Sequence, residues 1–228
     1  GGLAPGAERA RLALADAFVE AGRYEEAEAA LEQTTAVLPS SGRARDRLAR
    51  LHQRLGRYPE TIRAYQEAIA FHPLLGLNTL YRSVGALYVR KQDFDNGMDL
   101  YARRIDLVPN DAQAHQDLGE IYFKTGMDDE ALAEFAVALA LDPGHAEAHA
   151  AMGQVHLRAG RYAEAAALSR RALALIPSHQ QARYTLATAL MRQGLTEEGR
   201  QQLELFQRLQ AEEAAARTRR LDLEGLRR

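Results

Sequence analysis

Apolar residues recur along this chain at three- and four-residue steps, as in Leu118, Ile121 and Tyr122. Steps of that size place side chains on one face of an α-helix, and no stretch alternates as a strand would. Glycines and prolines punctuate the pattern. Gly22, Gly56, Gly126, Gly160 and Gly194 each follow an apolar-periodic run, where glycine can take the left-handed conformation that ends a helix. Pro39, Pro73, Pro109, Pro143 and Pro177 each close a second run, where proline cannot continue a helix. The pattern predicts short helices in pairs, glycine between the two members and proline after the second.

The punctuation is periodic. The five prolines stand 34, 36, 34 and 34 residues apart, and each glycine that has a closing proline precedes it by 17. A period of this length marks a repeat architecture. Counting from Glu8, the units begin at residues 8, 42, 78, 112, 146 and 180. The eighth position of each unit is small: Ala15, Ala49, Gly85, Gly119, Gly153 and Ala187. The twentieth is small or nearly so: Ala27, Thr61, Gly97, Ala131, Ala165 and Gly199. Small residues there let the two helices of a pair approach closely. The expected core fillers are Leu14, Leu48, Val84, Leu118, Met152 and Leu186, with Phe18, Tyr88, Tyr122 and Leu190.

On these residues the chain resembles the tetratricopeptide repeat family over about residues 8–205. The run from Ala112 to Gly126 (AQAHQDLGEIYFKTG), followed by Ala131, Phe135, Ala138 and Pro143, is similar to that family's repeat. The family's first-helix tryptophan is absent, and Arg11, Arg45, Tyr81, His115, His149 and Arg183 stand in its place. The resemblance implies an all-α fold, a right-handed superhelical α-solenoid of tandem helix-turn-helix repeats with a C-terminal capping helix. Residues 1–7 read as a leader without fixed structure, 8–205 as six units, and 206–228 as an extension of the last helix, cap and tail. The sixth unit lacks its proline, with Ala211 in that place. An end repeat needs a polar outer face, which Glu204, Arg208, Glu212, Glu213 and Arg217 provide. Leu221, Leu223 and Leu226 lie in a tail that is either frayed or in contact with something else. Three leucines in the widened turn Leu74-Leu75-Gly76-Leu77 read as a plug between units two and three, since exposed apolar patches are costly; the alternative is a partner contact.

Composition narrows the function. Of 228 residues, 46% are hydrophobic and 26% charged, as in a soluble globular protein, and no apolar run reaches the roughly 18 residues of a membrane span. A net charge of −2 argues against nucleic acid as partner. Only Lys91 and Lys124 among the 29 basic residues are lysines. That reads first as a GC-rich coding sequence and second as a preference for carboxylate recognition. There is no cysteine, hence no disulfide, thiol catalysis or thiolate metal site. The opening Gly-Gly-Leu-Ala-Pro without methionine reads as a processed protein or an excised fragment, cytoplasmic, or exported if a leader was removed. His145, His149 and His156 invite a metal reading, but no carboxylate set completes it. Asp93-Phe94-Asp95-Asn96-Gly97 lacks the spacing of a calcium loop and reads as a helix-starting turn. No phosphate loop or serine elbow is present, so neither enzymatic activity nor a cofactor is expected.

The resemblance implies that the first helices line a groove through their second, fifth, sixth, ninth, twelfth and thirteenth positions, and that the groove holds a protein or peptide. Those positions include Arg43, Arg47, Arg50, Arg54, Arg82, Arg90, Gln116, Glu120, Gln154 and Tyr184. The N-terminal half is basic, and Asp16 and Asp46 stand near the arginines in the pattern. The cluster either receives acidic residues of a ligand, bidentately, or is a solvated face. The family's chaperone-tail clamp is missing, because Leu12 and Asp16 occupy its first-repeat positions. Alternatives of a different class are a self-assembling structural protein and an accessory domain of a larger protein.

Overall fold

The computed structural model describes residues 5–71 and 77–225, with side chains for 6–71 and 79–218. Among these residues there are twelve helices and no strand. They form two compact units. The first, up to Leu107, holds α1 (Pro5–Glu20), α2 (Tyr24–Val37), α3 (Gly42–Arg54), α4 (Tyr58–Phe71), α5 (Leu77–Lys91) and α6 (Phe94–Leu107). The second, from Val108, holds α7 (Ala112–Thr125), α8 (Asp128–Leu141), α9 (Ala146–Arg158), α10 (Tyr162–Leu175), α11 (Gln180–Arg192) and α12 (Thr196–Gly225). In each unit consecutive helices pack as pairs and the pairs stack in tandem, the layout of an α-solenoid. No described helix is long and apolar enough to cross a membrane.

Local chemistry explains where the helices start and stop. The residue before each of four first helices caps it: Ser41 and Asp111 accept the N–H of Ala44 and Ala114, and the imidazoles of His145 and His179 accept those of Ala148 and Ala182. The five glycines all have φ between +72° and +85°. Unit three has no glycine there, and Gln92 takes the conformation instead, with φ +58°.

Packing follows the small positions. Ala15, Ala27, Ala49, Ala131, Ala165 and Ala187 have no exposed surface. Gly119 lies directly under the Phe135 ring, where an added Cβ would come within 2.7 Å of Cε1. Gly85 sits under Tyr101 in the same way. Burying a ring such as Phe135 stabilises by roughly 1.5–3 kcal/mol relative to leaving it exposed. Arg104 is an exception in chemistry, fully buried where other units place Thr34, Ala68, Ala138 and Ala172, with its guanidinium 5.6 Å from the Tyr81 ring centroid.

Four of the six residues in place of the missing tryptophan close turns. Arg45, His115, His149 and Arg183 each donate to the carbonyl of the proline six residues earlier: Pro39, Pro109, Pro143 and Pro177. Arg45 also pairs with Glu67 at 3.1 Å and lies over the Phe71 ring; His115 contacts Glu134 at 2.7 Å. A carbonyl left over at a helix end must find a donor, and the fourth position supplies it.

Two expectations need correction. Pro5–Ala7 are not leader but the first residues of α1, and proline suits a first turn because its missing N–H would have had no partner. Leu14 is 52% exposed rather than core. Its position packs against a preceding pair, and among the described residues no helix precedes α1. The side chains of Leu74, Leu75 and Leu77, and of Leu221, Leu223 and Leu226, lie outside the described residues.

Candidate partner-binding faces

Each first helix is buried by its own second helix and by its neighbours, which leaves one face open. In the first unit that face is charged. Arg43, Arg50, Arg54, Arg82 and Arg90 are exposed and Arg47 is half-buried. The structure does not leave them equivalent. Arg47 Nε donates to both carboxylate oxygens of Asp16, at 2.9 and 3.1 Å, across 31 residues. Arg50 pairs with Asp46 one turn earlier, at 3.0 Å. Arg54 lies 5.3 Å from the Tyr24 ring centroid, and Arg90 donates to Tyr58 Oη at 2.9 Å while facing its ring. Arg43 and Arg82 have no carboxylate partner among the described residues.

Beside α1 and α3 the face deepens into a cavity of about 640 Å³, lined by Gly6, Glu8, Arg9, Leu12, Ala13, Asp16, Arg43 and Arg47. Arg9 is not among the groove residues named from the sequence. Its own signal was available: it is the second position of repeat one, as Arg43 is of repeat two.

The second unit presents a different face. Gln113 Nε2 donates to Gln116 and to Asp117, and Gln116 Nε2 donates to Glu120 at 3.0 Å, so amides and carboxylates form a ladder on α7. Gln116 is buried within that ladder, and Gln154 is half-exposed on α9. Tyr184 is 44% exposed and packs at 5.5 Å against Phe206 of α12. Arg158 covers the Phe123 ring at 3.9 Å and donates to the Phe123 carbonyl. Arg43 to Arg90 thus lie in the first unit, and Gln116, Glu120, Gln154 and Tyr184 in the second.

The three histidines of the metal reading have structural partners. His145 caps α9, His149 holds the Pro143 carbonyl, and His156 Nδ1 accepts from Arg161 Nε at 2.9 Å. Burial pushes the His156 imidazole below its ordinary value, and the Arg161 charge adds to that. Among the described residues no group of three His, Cys, Asp or Glu could hold a metal ion. Asn96 donates to both oxygens of Asp93, the turn before α6. Between α2 and α3, burial would raise the Glu28 carboxyl, but hydrogen bonds from His52 and Arg57 outweigh it and hold it below the usual range.

Comparison with known proteins agrees with the repeat. Models described as tetratricopeptide repeat match residues 12–74 and 88–155, and that of subunit 3 of the anaphase-promoting complex, cyclosome, matches residues 127–206. Among solved structures, a thermophilic tetratricopeptide repeat protein of Thermus thermophilus is 26% identical, with a TM-score of 0.55, over 81% of this chain and 99% of that one. YrrB, described as a tetratricopeptide repeat protein with an unusual peptide-binding site, is 23% identical over 75% and 88%, with a TM-score of 0.58. A tetratricopeptide repeat protein of Parabacteroides merdae is 16% identical over 86% and 77%, with a TM-score of 0.69. No curated protein sequence matches significantly.

Proposed function

Because the chain belongs to the tetratricopeptide repeat family, we propose that it is a non-catalytic interaction scaffold whose first-helix faces hold a segment of a partner protein. The observation that carries this reading is the open face itself. Helix–helix packing buries the small eighth positions of the first helices, yet leaves the arginines of the first unit, and Gln154 and Tyr184 of the second, with exposed surface. Planar guanidinium and amide groups recognise carboxylates and backbone amides, and an exposed tyrosine adds contact area at little entropic cost. YrrB, a neighbour in fold, is described as having a peptide-binding site, which favours the same use here.

On the first unit the ligand is acidic. Arg43 and Arg82 lack internal carboxylates, so a partner's acids would be their counter-charges. A site of this kind binds at about micromolar strength, roughly −8 kcal/mol, and weakens with salt, since exposed charges are screened over about 10 Å at 0.1 M. Photo-crosslinking side chains placed at Arg82 and Gln154 should capture the partner from lysate for identification by mass spectrometry. The same groups at Arg63 and Arg171, exposed on second helices, should not. Capture from the second helices alone would overturn the reading.

A further inference from the structure

We infer that the cavity between α1 and α3 is a receptor for acidic side chains of a protein segment, with Arg9 and Arg43 as the groups that bind them; this rests on the scaffold reading above and names the chemistry of one place on it. The cavity walls carry three arginines and two carboxylates, a net charge of +1. The carboxylates are not available to all three arginines. Asp16 is held by Arg47 through both oxygens, and Glu8 Oε1 accepts the Ser41 hydroxyl at 2.6 Å. Arg9 and Arg43 are exposed, and neither has an ion-pair partner among the described residues.

The consequence differs from that of the arginine pattern alone. Arg47 in the wall and Arg50 outside it already pair with carboxylates, so they add little attraction for an incoming anion. Arg9 and Arg43 occupy the same position of consecutive repeats, so a single extended segment can address both. A guanidinium pairs with a carboxylate through two parallel N–H donors, a geometry suited to aspartate and glutamate. The cavity's size fits side chains on a short stretch of peptide rather than a small ion. Leu12 and Ala13 supply a modest apolar wall between the charges.

The test uses the full chain and a fluorescent peptide of alternating glutamate and alanine, amidated at its C-terminus so that all its carboxylates are side chains. Anisotropy should show binding to this peptide and none to its glutamine counterpart. The double variant Arg9→Gln/Arg43→Gln should weaken binding about tenfold, the size expected for losing two exposed ion pairs, and flatten its salt dependence. Arg63→Gln on α4 should change neither, and Glu8→Gln should tighten binding by removing the remaining negative charge. Circular dichroism should report the same helix content throughout. Unchanged affinity in the double variant overturns the site, as does a parent chain that binds only a phosphoserine peptide or only a peptide with a free C-terminus. If binding instead disappears with Arg82→Glu while Arg9→Gln/Arg43→Gln leaves it intact, this cavity is ruled out and the scaffold reading survives.

Discussion

Gln92 carries the backbone conformation that glycine carries at Gly22, Gly56, Gly126, Gly160 and Gly194. Its neighbours form the same closing bonds, Gln92 N–H to the Val89 carbonyl and Asp93 N–H to the Tyr88 carbonyl, so the helix end is intact and the side chain bears the strain. A non-glycine residue in the left-handed region costs roughly 1–2 kcal/mol. Gln92→Gly should therefore stabilise the protein by about 1 kcal/mol, read as a higher urea midpoint with an unchanged slope. A lower midpoint would mean that the glutamine side chain contributes something the backbone argument omits. His156 is a second single-residue case, and its sign follows from proton binding. Its folded pKa lies below the ordinary value of about 6.5, so between the two the unfolded chain binds more protons. Its contribution to stability is complete above about pH 6.5 and is lost as the pH falls through the folded value. Urea unfolding at about pH 7 and about pH 5 should show a smaller loss in His156→Gln than in the parent, and equal losses would rule the argument out.

At the scale of the helix pair, the polar fourth position has taken over a packing site and turned it into a hydrogen-bonding one. A buried guanidinium or imidazole gives less apolar contact than an indole, but it holds the carbonyl that ends the preceding pair. Arg45 illustrates this. Its side chain is 9% exposed, and it contacts the Pro39 and Ser41 carbonyls, Glu67 and the Phe71 ring at once. Arg45→Met keeps most of the stem and removes the donors, so it should destabilise by about 1.5–3 kcal/mol, the range for hydrogen bonds to charged groups. Thermal unfolding checks this; a change below about 0.5 kcal/mol would place the stability in the stem alone.

At the scale of the whole molecule, stability within each unit is a sum of pairs and of contacts between successive pairs, because a tandem array has few longer-range contacts. The C-terminal helix departs from this economy. α12 runs to Gly225, but every described side chain from Gln210 to Thr218 is exposed, and the last polar tie to α11 is Gln180 to Glu213. Truncation after Glu213 should therefore cost less than about 0.5 kcal/mol while lowering the helical circular dichroism signal, and amides past that point should exchange fastest within α12. A large loss of stability would mean that the distal turns contact something beyond α11.

The 34-residue period, the glycines, the prolines and the small eighth and twentieth positions determined the helical pairs, because each acts within a turn or across one helix crossing. The groove positions came from the resemblance instead, because helical spacing says which side chains share a face but not whether that face is open, and Gln116 at one of them is buried. What tertiary structure decided was the state of those side chains. Arg47 is neutralised by a carboxylate 31 residues away, and Glu8 is held by Ser41, 33 residues away. Leu14 is bare because no described helix lies before α1, and Arg45, His115, His149 and Arg183 reach a proline carbonyl only because the turn folds back on the helix. A period specifies backbone geometry locally, whereas the partner of a charged side chain depends on distances between repeats, which no count along the chain contains.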